Sequence, residues 1–80
     1  MSREWSAAVA AAEAVAEQRQ AAEEAAHERF DAARAQIEAA GSGAAQVTDT
    51  PEFHAWMAAR RASDEAWGAW AMAMDAKPAS

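Results

Sequence analysis

The chain has 80 residues, of which 13 are Asp or Glu and seven are Lys or Arg, giving a formal net charge of −6. This charge argues against nucleic acid and against an anionic membrane surface as partners, because both attract a basic stripe that releases counterions. The absence of cysteine excludes a disulfide framework and thiolate metal ligands, and it leaves the compartment open.

Alanine dominates the apolar composition. Hydrophobic residues make up 52% of the chain, but 28 of them are alanine and there is no leucine or tyrosine. Alanine, glutamate, glutamine and arginine all favour helix, so local propensity is strongly helical. A chain this short with few large apolar side chains has little to bury, so its tertiary stabilisation is expected to be thin.

The first predicted element is one long helix over about residues 2–40, because this stretch contains neither Gly nor Pro. Its larger apolar residues and several alanines form a heptad-like seam. The seam consists of Trp5, Val9, Val15, Phe30 and Ile37, with Ala12, Ala16, Ala26 and Ala33 between them.

Residues 41–50 are predicted to connect this helix to a second one. Gly41 can adopt the left-handed conformation that closes a helix, and Val47 is expected to cover the end of the core. Thr50 is the preferred N-cap, since Pro51 then occupies the first helical position. The alternative places the cap at Asp49, with Glu52 closing a capping box.

The second helix is predicted over about 51–76, with 77–80 as a tail, because Pro78 cannot continue the hydrogen-bond ladder. Gly68 within it is expected to permit a close approach. Together the two helices form a single all-α domain, a two-helix antiparallel hairpin over 1–80. Its predicted packing set is Trp5, Phe30, Ile37, Phe53, Trp56, Met57, Trp67, Trp70 and Met74.

The two helices differ in predicted length, at roughly 57 Å and 39 Å for a rise of 1.5 Å per residue. About a dozen residues of the first helix, including Trp5 and Val9, are therefore expected to lack intramolecular cover. An uncovered tryptophan favours burial against another chain. The sequence thus predicts that oligomerisation, or docking into an assembly, completes the hairpin.

Arginine and tryptophan dominate interface hot spots, so the predicted partner-binding set combines the two types with the uncovered end of the first helix. Its members are Trp5, Val9, Trp56, Arg60, Arg61, Trp67 and Trp70. The alternative for the two arginines is ordinary pairing with Asp64 and Glu65, four residues further on.

No catalytic motif is present in the sequence, so we predict no enzyme activity and no cofactor. Only Glu24 and His27 have metal-site spacing, three residues apart on one helical face. A dimeric carboxylate-bridged site would follow if Asp64 or Glu65 lay opposite them. The alternative is a solvated Glu–His pair.

Acidic residues make one side of the first helix a ridge, which is either a solvated face or a mimic of nucleic-acid charge that inhibits a basic protein. The ridge consists of Glu13, Glu17, Glu23, Glu24, Glu28 and Asp31. We expect, first, a non-enzymatic structural protein that binds itself or another protein, as a small component of an assembly such as a virion. The alternatives are the acidic inhibitor and the metal site.

The sequence lacks a long uncharged apolar run, since Glu13 and Glu17 interrupt the first alanine-rich stretch. We therefore expect neither a classical secretory signal nor a membrane span. The expected location is the cytoplasm or the interior of a soluble particle.

Overall fold

The computed structural model describes residues 2–41 and 44–78, and it confirms the all-α helical hairpin. Helix α1 (Ser2–Ala39) is followed by a short 3₁₀-helix (Ala44–Asp49) and by helix α2 (Pro51–Asp75). The two long helices pack side by side in a rod of 62 × 16 × 13 Å. Parts of the predicted loop and tail, at 42–43 and 79–80, lie outside the described residues.

Helix α1 ends as the sequence predicts. Gly41 has a φ of +79°, in the left-handed region that residues with a Cβ rarely adopt. Its amide donates to the carbonyl of Glu38 at 3.1 Å, and the amide of Ala40 donates to that of Gln36 at 3.0 Å. These bonds satisfy carbonyls that would otherwise be left open at the helix end.

Helix α2 begins with Thr50 as its N-cap, which settles the choice between Thr50 and Asp49. The Thr50 hydroxyl accepts a hydrogen bond from the amide of Phe53 at 3.1 Å, and Pro51 occupies the first turn. The same hydroxyl donates to the carbonyl of Val47 at 2.9 Å, so the cap also ties α2 to the 3₁₀-helix.

The prediction that Trp5 lacks intramolecular cover is wrong. The Trp5 indole Nε1 donates to the carbonyl of Ala73, near the end of α2, at 2.8 Å, and Val9 is half-buried. The physical reason is that part of the predicted loop is the 3₁₀-helix Ala44–Asp49, which rises about 2.0 Å per residue. It adds roughly 12 Å to the part of the chain that returns along α1, and this is enough for the end of α2 to reach the start of α1.

The core is a thin seam in which alanine meets aromatic rings. Ala16 is 0% exposed and Phe30 is 8% exposed, and Val47 covers one end as predicted. Ala26 and Ser63 are also buried. Most of the predicted packing set is only half-buried, because a hairpin has solvent on both sides of its single interface. Met74 is 43% exposed, so its inclusion in the packing set is wrong.

Gly68 does not permit a close approach, contrary to the prediction. It is exposed, and a Cβ built on it would meet nothing within 4 Å. No described helix has the length and apolar character needed to cross a membrane.

Replacing Gly68 with alanine is therefore expected to raise the free energy of unfolding by about 0.5–1 kcal/mol, because alanine loses less backbone entropy on folding. Urea denaturation followed by circular dichroism measures the change. Gly41→Ala, the same chemical change at a positive φ, is expected to lower the stability. A loss of stability in Gly68→Ala would show that the helix backbone at this position is strained or covered.

Candidate interaction surface

A groove runs along one flank of the hairpin, between an acidic face of α1 and two tryptophans of α2. One part has a volume of about 390 Å³ and is lined by Glu23, Glu24, His27, Glu28 and Trp56. The adjoining part has about 320 Å³ and is lined by Glu17, Gln20, Ala21, Glu24 and Trp67. Glu24 belongs to both parts, so we treat them as one feature and call it the acidic-aromatic groove.

Helical periodicity brings the α1 side of the groove together. Gln20, Glu24 and His27 are spaced by four and three residues, which places them on one face of the helix. Glu17 and Glu28 continue this face towards the two ends. Four of the six residues of the predicted acidic ridge, all but Glu13 and Asp31, thus line one wall of a concave surface, which the ridge alone does not reveal.

Trp67 is held in place by α1. Its indole Nε1 donates to the side-chain Oε1 of Gln20 at 3.1 Å, and the Gln20 amide donates to Glu24 at 3.5 Å. Trp70 packs edge-on against Trp67, with the ring centroids 5.5 Å apart. The Trp67 ring is therefore fixed at the edge of the seam, half-exposed beside the carboxylates.

Trp56 belongs to an aromatic cluster that joins both helices. Its ring stacks on Phe30 at 5.0 Å between centroids, and His27 lies 4.5 Å away on the groove side. Phe53 lies 5.6 Å from Phe30 and 6.3 Å from Trp56. The indole N–H groups of Trp56 and Trp70 are buried without a hydrogen-bond partner among the described residues. Each such donor lowers the stability of the isolated hairpin.

Negative charge in the groove is not neutralised within the described part of the chain. The ion pairs there all involve the next stretch of α1, where Asp31 pairs with Arg34 at 3.3 Å and Arg34 with Glu38 at 3.9 Å. His27 lies 3.6 Å from Asp31. Glu17, Glu23 and Glu28 form no ion pair or hydrogen bond with any described residue.

The alternative for the two arginines, pairing of Arg60 with Asp64 and of Arg61 with Glu65, does not occur. Both arginines are exposed, and neither forms an ion pair within the described residues. Arg60 lies four residues after Trp56 and seven before Trp67, so it shares their side of α2. Arg61 is turned by about 100° from Arg60, towards the outer face.

The Glu24–His27 pair does not acquire the opposing carboxylate that a metal site would need within one hairpin. Trp56 faces His27, whereas Asp64 lies two helical turns further along α2. Among residues 2–41 and 44–78, no three His, Asp or Glu side chains are grouped as metal ligands.

At the open end of the hairpin, the Lys77 ammonium lies 5.9 Å from the centre of the Trp5 ring. This contact and the Ala73 hydrogen bond close the end of the seam. Of the predicted partner-binding set, the structure thus brings Trp56, Arg60 and Trp67 to one flank and places Trp5 in an intramolecular contact.

The opposite flank carries small apolar side chains at seven-residue spacing on both helices. We call it the alanine flank. It consists of Ala8, Val15, Ala22, Ala55, Ala62 and Ala69. Val15 is 45% exposed and is the largest side chain among them. This flank was missed in the sequence, because alanines occur on every face and only the helix register separates this stripe from the others.

Fold and surface together define an antiparallel helical hairpin with an acidic-aromatic groove on one flank and an alanine flank on the other. Comparisons with protein-family models, with curated proteins and with solved structures find no match to this chain.

Proposed function

We propose that this chain is a non-enzymatic helical interaction module that associates with a second copy of itself and serves as a small component of a larger assembly. Its accessible surface carries this proposal. The surface measures 5785 Å², whereas a compact protein of the same mass exposes about 4,700 Å². The radius of gyration is 17.9 Å, against roughly 12 Å for a globular domain of this length.

The excess of roughly 1,100 Å² exceeds the area of about 800 Å² that each partner buries in a standard interface. One thin seam and two unpaired indole donors leave the isolated hairpin short of stabilising contacts. Packing a second hairpin against it would form a four-helix arrangement, in which a core enclosed by four helices replaces the single two-helix seam.

The distribution of charge on the hairpin favours one of its two flanks as the dimer interface. In a two-fold symmetric dimer the same patch lies on both sides of the interface. Pairing the acidic-aromatic groove with itself would bring two sets of unpaired glutamates together, and like charges opposite each other are destabilising. The alanine flank has no such conflict at its centre, and its small side chains allow the helices to approach closely.

Self-association predicts that thermal stability rises with protein concentration, because dissociation accompanies unfolding. We expect the Tm to increase by about 4 °C for each tenfold increase in concentration, given an unfolding enthalpy of about 0.7 kcal/mol per residue. Differential scanning calorimetry over a hundredfold range measures this shift. A Tm that does not depend on concentration, with cooperative unfolding, would contradict self-association.

The second candidate is the acidic inhibitor, because the groove glutamates form no ion pair with any described residue. An inhibitor that mimics nucleic-acid charge would displace DNA from a basic protein, whereas a structural module would not. For either role, the cytoplasm or a soluble particle remains the proposed location.

A further inference from the structure

The acidic-aromatic groove combines two features that favour the same kind of ligand. Four glutamates line it, at positions 17, 23, 24 and 28, in a chain whose net charge is −6. The half-buried rings of Trp56 and Trp67 lie opposite them, on the α2 side of the groove. A cationic side chain over an indole ring is attracted by the ring quadrupole, and nearby carboxylates add to this attraction.

We propose that this groove binds a basic helix of a different protein, with one arginine or lysine beside Trp56 and a second beside Trp67. A second copy of the chain does not fit, because its own groove is acidic and its arginines are dispersed over several faces. Nucleic acid does not fit either, because phosphates would meet the unpaired glutamates.

None of the described arginine or lysine side chains forms an ion pair with these carboxylates. Arg34, which binds Asp31 and Glu38, lies beyond the groove on α1, and Arg60 forms no ion pair with any described residue. Glu24 and Glu28 are four residues apart on one helix, where like charges repel. A bound cation relieves this repulsion, so part of the binding energy comes from strain already present in the free hairpin.

The two tryptophans set the spacing of the ligand. Trp56 and Trp67 are eleven residues apart on α2, which corresponds to about 16 Å along the helix axis and to three full turns. A partner helix aligned with α2 therefore presents two cations on one face when they too are separated by eleven residues. Two cations nine residues apart lie on opposite faces of the partner and reach only one part of the groove.

Glu24 is the residue on which both parts of the groove depend, since it lines each of them. The proposal does not rest on self-association, because the alanine flank is on the other side of the hairpin. Light scattering of the same samples separates the two: binding to a monomeric hairpin leaves this inference standing and removes the proposed dimer.

The test titrates the full chain with two alanine-based helical peptides that lack tryptophan and carry arginines either eleven or nine residues apart. Tryptophan fluorescence of the protein reports binding at low salt. We expect saturable binding of the eleven-spaced peptide, weaker binding of the nine-spaced peptide by about fivefold, and loss of affinity as salt rises.

Two variants of equal charge test whether the groove itself is responsible. Glu24→Gln is expected to weaken binding of the eleven-spaced peptide by about fivefold, and Glu65→Gln, on the outer face of α2, by less than about twofold. Trp67→Leu is expected to weaken it by a similar factor of about five. If Trp67→Leu fails to fold, the comparison of Glu24→Gln with Glu65→Gln is sufficient to test whether the groove binds the peptide.

Equal weakening by Glu24→Gln and Glu65→Gln would overturn the proposal, because it would show attraction to the net charge alone. Equal affinity for the two peptides, or no saturable binding at all, would overturn it as well.

Discussion

Phe30→Ala is expected to lower the free energy of unfolding by about 3 kcal/mol, because it removes a buried aromatic ring from the contact between the helices. Phe30 is the only buried aromatic side chain among the described residues, and its ring contacts Trp56 at 5.0 Å and Phe53 at 5.6 Å. Truncation leaves a void between the helices at the place where both contribute aromatic rings. Small domains are stable by only about 5–15 kcal/mol, so a loss of this size removes a large fraction of the total stability.

Urea denaturation followed by helical circular dichroism measures this loss. Phe30→Leu is the matched control, since it keeps most of the apolar volume and should cost no more than about 1.5 kcal/mol. A loss below about 1 kcal/mol in Phe30→Ala would mean that the aromatic cluster does not hold the two helices together.

Val15→Lys is expected to weaken self-association at least a hundredfold, which corresponds to about 2.7 kcal/mol. Within one hairpin the position is 45% exposed, so the change should leave the monomer's stability within about 0.5 kcal/mol. In a two-fold dimer across the alanine flank, each copy would bury an ammonium group at the interface without a partner.

Met72→Lys provides the control, because Met72 is 73% exposed on the outer face of α2 and the charge change is the same. Sedimentation equilibrium of both variants measures the dissociation constants. If Met72→Lys weakened association as much as Val15→Lys, the interface would not be the alanine flank. If neither did, the association would use another surface or not occur.

Local signals predicted the helices and their ends well. Gly41 and Thr50 act through their own backbone and the next few residues, so the cap and the left-handed terminus can be identified without the fold. The buried alanines 16 and 26 also follow from the seven-residue repeat, which is a property of α1 alone.

Features that depend on the register between helices were missed. The 3₁₀-helix Ala44–Asp49 contains no residue pattern that distinguishes it from a loop, yet it moves α2 far enough for Trp5 to reach Ala73. The predicted overhang failed for this reason. Gly68 was misinterpreted because the sequence does not show which face of α2 points to solvent.

The candidate site was predicted only in pieces. Glu24 and His27 were singled out as a possible metal pair, and Trp56, Arg60 and Trp67 as partner-binding residues, but nothing in the sequence joins the two sets. Gln20 was not predicted at all, although its hydrogen bond to Trp67 connects the helices within the groove. Only the antiparallel register places these residues on one flank.

The solution mass of the protein tests the central proposal most directly. Multi-angle light scattering or sedimentation equilibrium, from micromolar to millimolar concentration, should give a mass of about twice the 8.5 kDa of one chain, or a defined larger multiple. The value should change little with salt, since the proposed interface is apolar. A constant mass of 8.5 kDa over this range would contradict the account of the chain as a self-associating module.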